Sequence, residues 1–356
     1  MFKKLKEISD TTVFLMLSII CVLYVNTVSS SQHLIELAIL KLSDPSFFPY
    51  DPVINSYAEN PLNNFAVLFL SLYQKLFFFD TKFFFINFFV KTLTLFGIYK
   101  IYQFFMLNRL FCLIGSLLHL SPSILVLPYI GDWYIISPAL HTNSIFLLCF
   151  VYFIYSLLNK KYMLAITLQI FGIVAHPPLG LFLALPTLLL FCSCQAFKEK
   201  DIFIKHVSGK YSYFMMVISV IVNSLYLAKL AALNTSDLIA EEFINIYFLH
   251  APHHYQVSTF SIIEIFWPYF FIICGYIGVI KYEKRSSLRL FLLMLCPLII
   301  FSIPLHYIFT EVLPSIYILS LHITRSASIL SLALLAPFFF KLILPKNIWG
   351  VSSNDV

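Results

Sequence analysis

Residues 64–79 read NFAVLFLSLYQKLFFF, an apolar run of sixteen residues interrupted near its end by Gln74 and Lys75. A helix needs about 20 apolar residues to cross a bilayer, so this run is short. Its reading nevertheless sets the direction of every helix after it. If it crosses, the basic segments 160–161, 198–210 and 281–289 all face outward. If it lies flat on the outer surface as an amphipathic helix, the same segments face the cytoplasm. Cytoplasmic loops are enriched in Lys and Arg, which selects the second reading. Seventeen of the 23 basic residues then lie inside, all but Lys41, Lys75, Lys82, Lys91, Lys229 and Arg325.

Working outward, ten longer apolar runs are read as spans: 12–28, 83–107, 110–128, 144–158, 162–175, 179–194, 213–232, 265–280, 288–308 and 316–340. The first follows Lys3, Lys4 and Lys6 and is read as an uncleaved helix rather than a signal peptide. The 356 residues are 60% hydrophobic and 11% charged, against about 25% charged in a typical soluble domain. That composition excludes a soluble globular enzyme, a disordered chain and a nucleic-acid-binding domain. The net charge of +6 reports orientation rather than an anionic partner. The seven cysteines sit in or beside apolar runs and read as small hydrophobes, not as a disulfide framework. The expected architecture is all-α and integral to the membrane. It is a single polytopic domain over 1–356 with about ten transmembrane helices and both termini cytoplasmic, as in a bacterial inner membrane. Interfacial helices are expected in the first outer loop, about 31–82, and a late outer loop spans about 233–264. Within the first loop Leu34, Leu37, Ala38 and Leu40 recur with helical spacing.

This topology puts the polar segments that are not basic on the outer face. In the first loop, Ser43-Asp44-Pro45-Ser46-Phe47-Phe48-Pro49-Tyr50-Asp51-Pro52 is held extended by its prolines. Asp44 and Asp51 are candidates for a general base or a cation ligand, or are turn residues of the Asp-Pro type. Asp132 follows the flexible Gly131 at the mouth of a later loop. His176 stands before Pro177 and Pro178 at the end of the fifth span, as a functional residue or a helix cap. His250, His253 and His254 crowd the late loop. They suit recognition of a phosphate or sugar better than a metal, because their spacing lacks the separation of a zinc site. Arg325 lies inside the last apolar run, where it needs a partner or a wet cavity. Its planar fork fits a phosphate or carboxylate. His306 ends the preceding run near the same face.

An N-terminal helix, an outer loop with an acidic residue and interfacial helices, and about nine further spans resemble the GT-C superfamily of membrane glycosyltransferases. Pro252-His253-His254 and Arg325 also resemble a bacterial family of GT-C-like proteins with a Pro-His-His motif in a late outer loop and an arginine in a late helix. The resemblance implies a cell-envelope transferase that takes a sugar from a polyprenyl-phosphate-linked donor at the outer leaflet. It implies Asp51 or Asp44 as the catalytic acid-base residue, with Asp132, His176, His253, His254 and Arg325 binding substrate. A divalent cation is the one cofactor it suggests, although the chain has no clean Asp-x-Asp or Glu-x-Asp pair; membrane lipid and the lipid-linked sugar are the partners, with no nucleic acid. A transporter or flippase for a lipid-linked saccharide, and a polysaccharide polymerase, share the polytopic layout.

Overall fold

In the computed structural model, residues 9–24, 30–44, 46–47, 49–50, 65–76, 83–106, 108–120, 140, 142–159, 161–176, 217, 221, 224–225, 228, 258, 262–284, 286–313 and 335–343 are described. The fold is all-α: every regular element among the described residues is helical. The helices are α1 (Asp10–Tyr24), α2 (Ser30–Ser43), α3 (Phe65–Leu76), α4 (Phe84–Phe105), α5 (Arg109–Leu117), α6 (Thr142–Leu158), α7 (Tyr162–Ala175), α8 (Ile262–Tyr282) and α9 (Ser286–Tyr307). A further helical stretch covers 335–343.

Among the described residues α4 alone meets both the length and the hydropathy needed to cross a bilayer. Its 22 residues rise about 33 Å, against a hydrocarbon core of about 30 Å. The run read as a span at 110–128 is less regular than expected. Asn108 caps α5, its side chain accepting from the backbone N–H groups of Leu110 and Phe111, but after nine residues the helix tightens into a 3-10 turn at Leu118–Leu120. The run at 64–79 forms α3, whose 12 residues rise only about 18 Å. The runs at 179–194 and 213–232 lie wholly or largely outside the described residues.

Apolar side chains lie on the surface of the helices as well as in the core. Leu15, Ile19, Val22 and Leu23 make an exposed stripe along α1, with Leu23 84% exposed. Ile262, Phe266, Phe270, Ile273, Ile277 and Ile280 make another along α8, at the three-and-four spacing of one helix face. The polar side chains of Lys91, Thr94, Ser116, Ser144, Ser156 and Gln169 are buried. Apolar stripes of this length on a surface call for an apolar environment.

Side-chain contacts fix the helix directions around α4. Asp10 pairs with Lys100, Phe14 packs edge-on against Phe96 with ring centroids 5.4 Å apart, and Cys21 faces Lys91 and Thr92. As the number rises on α1 it falls on α4, so the two helices are antiparallel. Along α6 it rises instead: Ser144 meets Lys91, and Val151 and Tyr152 lie against Gly97. Helices α4 and α6 are therefore parallel neighbours. Tyr269 donates to the carbonyl of Ile300 at 3.2 Å, which makes α8 and α9 an antiparallel pair. The stretch 335–343 runs parallel to α8, because Gly275 abuts Leu335 and Gly278 abuts Phe338. Phe338 in turn packs against Phe105 of α4, 4.9 Å between ring centroids. One core cluster, from Val13 through Phe150 to Phe338, joins all these elements.

The contacts sort the helix ends into two sets. One holds the starts of α4, α6 and α8 and the ends of α1, α7 and α9. The other holds Asp10, Lys100, Arg109, Lys161, Lys281, Lys284 and Arg289, at the opposite ends and their turns. There Asp10 is partly buried, which pushes its carboxyl up. The Lys100 hydrogen bond, the Lys100 and Arg109 charges and the Gln103 amide outweigh that burial, so the carboxyl sits below its ordinary value.

Two outcomes test the packing. A side chain at Gly278 would collide with the Phe338 backbone, whereas one at Gly97 would meet the Val151 and Tyr152 side chains, which can give more readily than backbone even though Val151 is β-branched. Gly278→Ala should therefore lower stability in detergent by about 1–3 kcal/mol, and Gly97→Ala by less, measured by thermal unfolding. Because Asp10's carboxyl is lowered in the folded chain, its contribution is present above the unfolded value of about 3.9. It disappears as pH falls through the lower folded value. With Asp10 41% exposed, Asp10→Asn should lose no more than about 0.5 kcal/mol at neutral pH and nothing at strongly acidic pH.

Candidate functional site

Helices α2 and α3 sit over the first of these two ends. Ala38 and Ile39 of α2 pack with Val67 and Leu70 of α3 against Phe83, Ile86 and Val90 at the start of α4 and Leu140 just before α6. These clustered side chains are apolar, and Ser71 of α3 and Asn87 of α4 are buried on the same helices. At the edge of the cluster Phe83 adopts a left-handed backbone conformation, φ 51°, which is uncommon for a bulky residue. Burial of its ring, 1% exposed, offsets a backbone cost of about 1–2 kcal/mol.

Asp44 emerges directly from α2, its N–H bonded to the Leu40 carbonyl at 2.8 Å. Its carboxylate accepts from the Ser46 hydroxyl at 2.6 Å and the Ser46 N–H at 2.9 Å. This is an Asx turn, the turn role that the Asp-Pro pattern allowed. Those two bonds, the hydroxyl's the larger effect, hold the exposed carboxyl below its ordinary value, which makes Asp44 a weak base. His176 ends α7, its N–H bonded to the Gly172 carbonyl at 3.0 Å and its ring 6.3 Å from that of Phe146 on α6. At the same end the N–H of Ser258 donates to the Glu311 carboxylate at 3.0 Å, joining two segments that the sequence placed on one face. His306 is buried beside them in the last turn of α9. Asp51, Asp132, His253, His254 and Arg325 lie outside the described residues.

A residue that the sequence left among unassigned lysines lies below these groups. Lys91 is 2% exposed, and its ammonium donates to the Ser144 hydroxyl at 2.6 Å. It stands about 10 Å along α4 from the helix start, at 1.5 Å per residue. Among the described residues no carboxylate pairs with it. The rule that flagged Arg325, an ionisable side chain inside an apolar run, applies equally to Lys91 in the run 83–107. Lysine can carry or release a proton, hydrogen-bond an anion, or serve as a nucleophile when neutral. Among the described residues no group of three or more His, Cys, Asp or Glu could hold a metal ion.

No protein-family model, curated protein or solved structure matches the chain.

The Lys91–Ser144 pair predicts a non-additive mutant cycle. Ser144→Ala leaves a buried ammonium without its acceptor and should cost about 1–3 kcal/mol. Lys91→Met removes the buried charge and should be near neutral or stabilising. The double variant should then recover most of what Ser144→Ala loses, as read by thermal unfolding in detergent.

Proposed function

We propose that the protein is a polytopic membrane protein of the GT-C type, with about ten spans and both termini cytoplasmic. In this reading it transfers a sugar from a polyprenyl-phosphate-linked donor at the extracytoplasmic face. The observation that carries the proposal is the sorting of side chains by end. Asp44, His176 and the Ser258–Glu311 contact gather at the end that α2 and α3 cover, while the basic turns stand at the other. Positive-inside orientation then makes the covered end external.

In the proposed mechanism Asp51 takes the proton from the acceptor hydroxyl. Asp44 is already committed to its own turn and shapes the loop that presents Asp51. Arg325 holds the lipid-linked phosphate, His253 and His254 contact phosphate or sugar, and Asp132 and His176 line the pocket. A membrane transporter or flippase for a lipid-linked saccharide is the second reading, and Lys91, buried within the helices, is the observation that favours it. The two differ in product: one makes a new glycosidic bond and the other moves an unchanged lipid.

Asp51→Asn should abolish transfer of labelled sugar in membranes by about 100-fold or more, the scale of a lost general base, with unchanged protein level. Asp44→Asn should leave transfer within a few-fold. Full transfer in Asp51→Asn removes that residue from the mechanism. Lipid translocation without any new glycosidic bond replaces the transferase with the flippase.

A further inference from the structure

The basic end carries a cavity that the sugar-transfer reading does not use. It is an open hollow of about 280 Å³ between the ends of α4 and α6 and the start of α5. Lys100 and Arg109 supply two cations to its lining, Gln103 and Asn159 two amides, and Phe104 and Tyr155 aromatic walls. Among the described residues no acid lines it. Asp10 is not part of the lining, but it pairs with Lys100, accepts from the Gln103 amide at 3.4 Å and feels the Arg109 charge, so two cations stand there beside one acid. The polar groups are also held in place. Lys100 donates to the Gln103 carbonyl oxygen at 3.0 Å, the Gln103 amide donates to the Tyr99 hydroxyl at 2.8 Å, and the Asn159 amide donates to the Tyr155 carbonyl at 2.7 Å. These contacts fix the positions of donors around an open space, as a site for an anion requires.

We propose that this cavity binds a phosphate group, with Lys100 and Arg109 as its charged ligands, Asn159 as a neutral donor and Gln103 positioning Lys100. Arg presents a planar fork that matches phosphate oxygens, and Lys adds a point charge. Two sources can supply the group: the headgroup of an anionic lipid or a free phosphate compound. The location favours the lipid. The cavity opens at the end of α4, the helix long enough to cross a bilayer, where headgroup phosphates lie. Basic pockets between helices on the cytoplasmic side are a common mode of lipid recognition. The inference is independent of sugar transfer, and its readout contains no transfer step.

The test uses the full chain in phosphatidylcholine nanodiscs, with phosphatidylglycerol added as one probe and inorganic phosphate as the other, and follows thermal unfolding. Arg109→Gln removes one cation from the lining. Asn159→Phe keeps both cations and fills the space. Lys161→Gln removes an exposed charge at the same end but outside the lining. Phosphatidylglycerol should raise the unfolding temperature of the wild type and of Lys161→Gln. Both cavity variants should weaken the apparent affinity by about tenfold or more, as expected for loss of a charge-assisted hydrogen bond or of the space itself. The same pattern with inorganic phosphate alone keeps the phosphate site and assigns it to a free compound. Absence of a shift with both probes overturns the proposal. So does a shift that survives both cavity variants, or one that Lys161→Gln abolishes equally. If one variant fails to fold, the other and the wild-type comparison still decide.

Discussion

Lys91 is fully enclosed by apolar helices, and its ammonium must be satisfied from within the protein. Ser144 does this from α6, and the bond sets how far α6 stands along α4. The same offset recurs lower down, where Val151 and Tyr152 meet Gly97, and again where Tyr155 and Asn159 share a cavity with Lys100 and Gln103. Helix α1 packs on α4 in the opposite sense, from Cys21 near Lys91 down to Asp10 at Lys100. Helix α5 folds back against α4 with Gly115 under the Tyr102 ring. One axial helix thus carries the registers of three neighbours. A polar group inside an apolar solvent has few alternative partners, so this hydrogen bond specifies alignment more than it adds stability.

The helical class was legible because apolar runs of this density leave few other ways to satisfy the backbone. The spacing of Leu34, Leu37, Ala38 and Leu40 foretold α2. The clustering of Lys281, Lys284 and Arg289 with Lys100, Arg109 and Lys161 at one end was foretold by sorting charge alone. What the sequence did not carry was pairing. Nothing in residues 10–24 or 142–158 says that each lies along 84–105, since those contacts join positions 50 to 90 residues apart. The early end of α5 was hidden for a related reason: an apolar run records solubility, whereas the helix end depends on local backbone geometry such as the 3-10 turn at Leu118–Leu120.

The candidate site was legible only as a list of residue types. Asp44 illustrates the gap. Its place beside Pro45 fitted either a base or a turn, and the choice rests on Ser46, whose N–H and hydroxyl both reach the carboxylate. Lys91 illustrates the reverse. It was counted as a charge in the topology when its value lay in being buried. A lysine inside an apolar run costs about 2.5–3.5 kcal/mol at the centre of a membrane helix, and burial with Ser144 as acceptor is how this chain accommodates it.

Because α1 and α4 are antiparallel, the chain leaves the bundle at the end of one and re-enters at the start of the other on the same side. Helices α2 and α3, together with Asp44, therefore belong to a segment whose two attachment points are close to each other. Lengthening a tethered segment costs little, about 0.6 kcal/mol for each doubling. Its seam with the bundle sets Ala38, Ile39, Val67 and Leu70 against Phe83, Ile86, Val90 and Leu140, apolar contacts that tolerate exchange of one hydrophobic side chain for another. The segment is thus an exchangeable module on a fixed frame. Insertions and substitutions there can change what the covered end admits without disturbing the alignment of the helices beneath it.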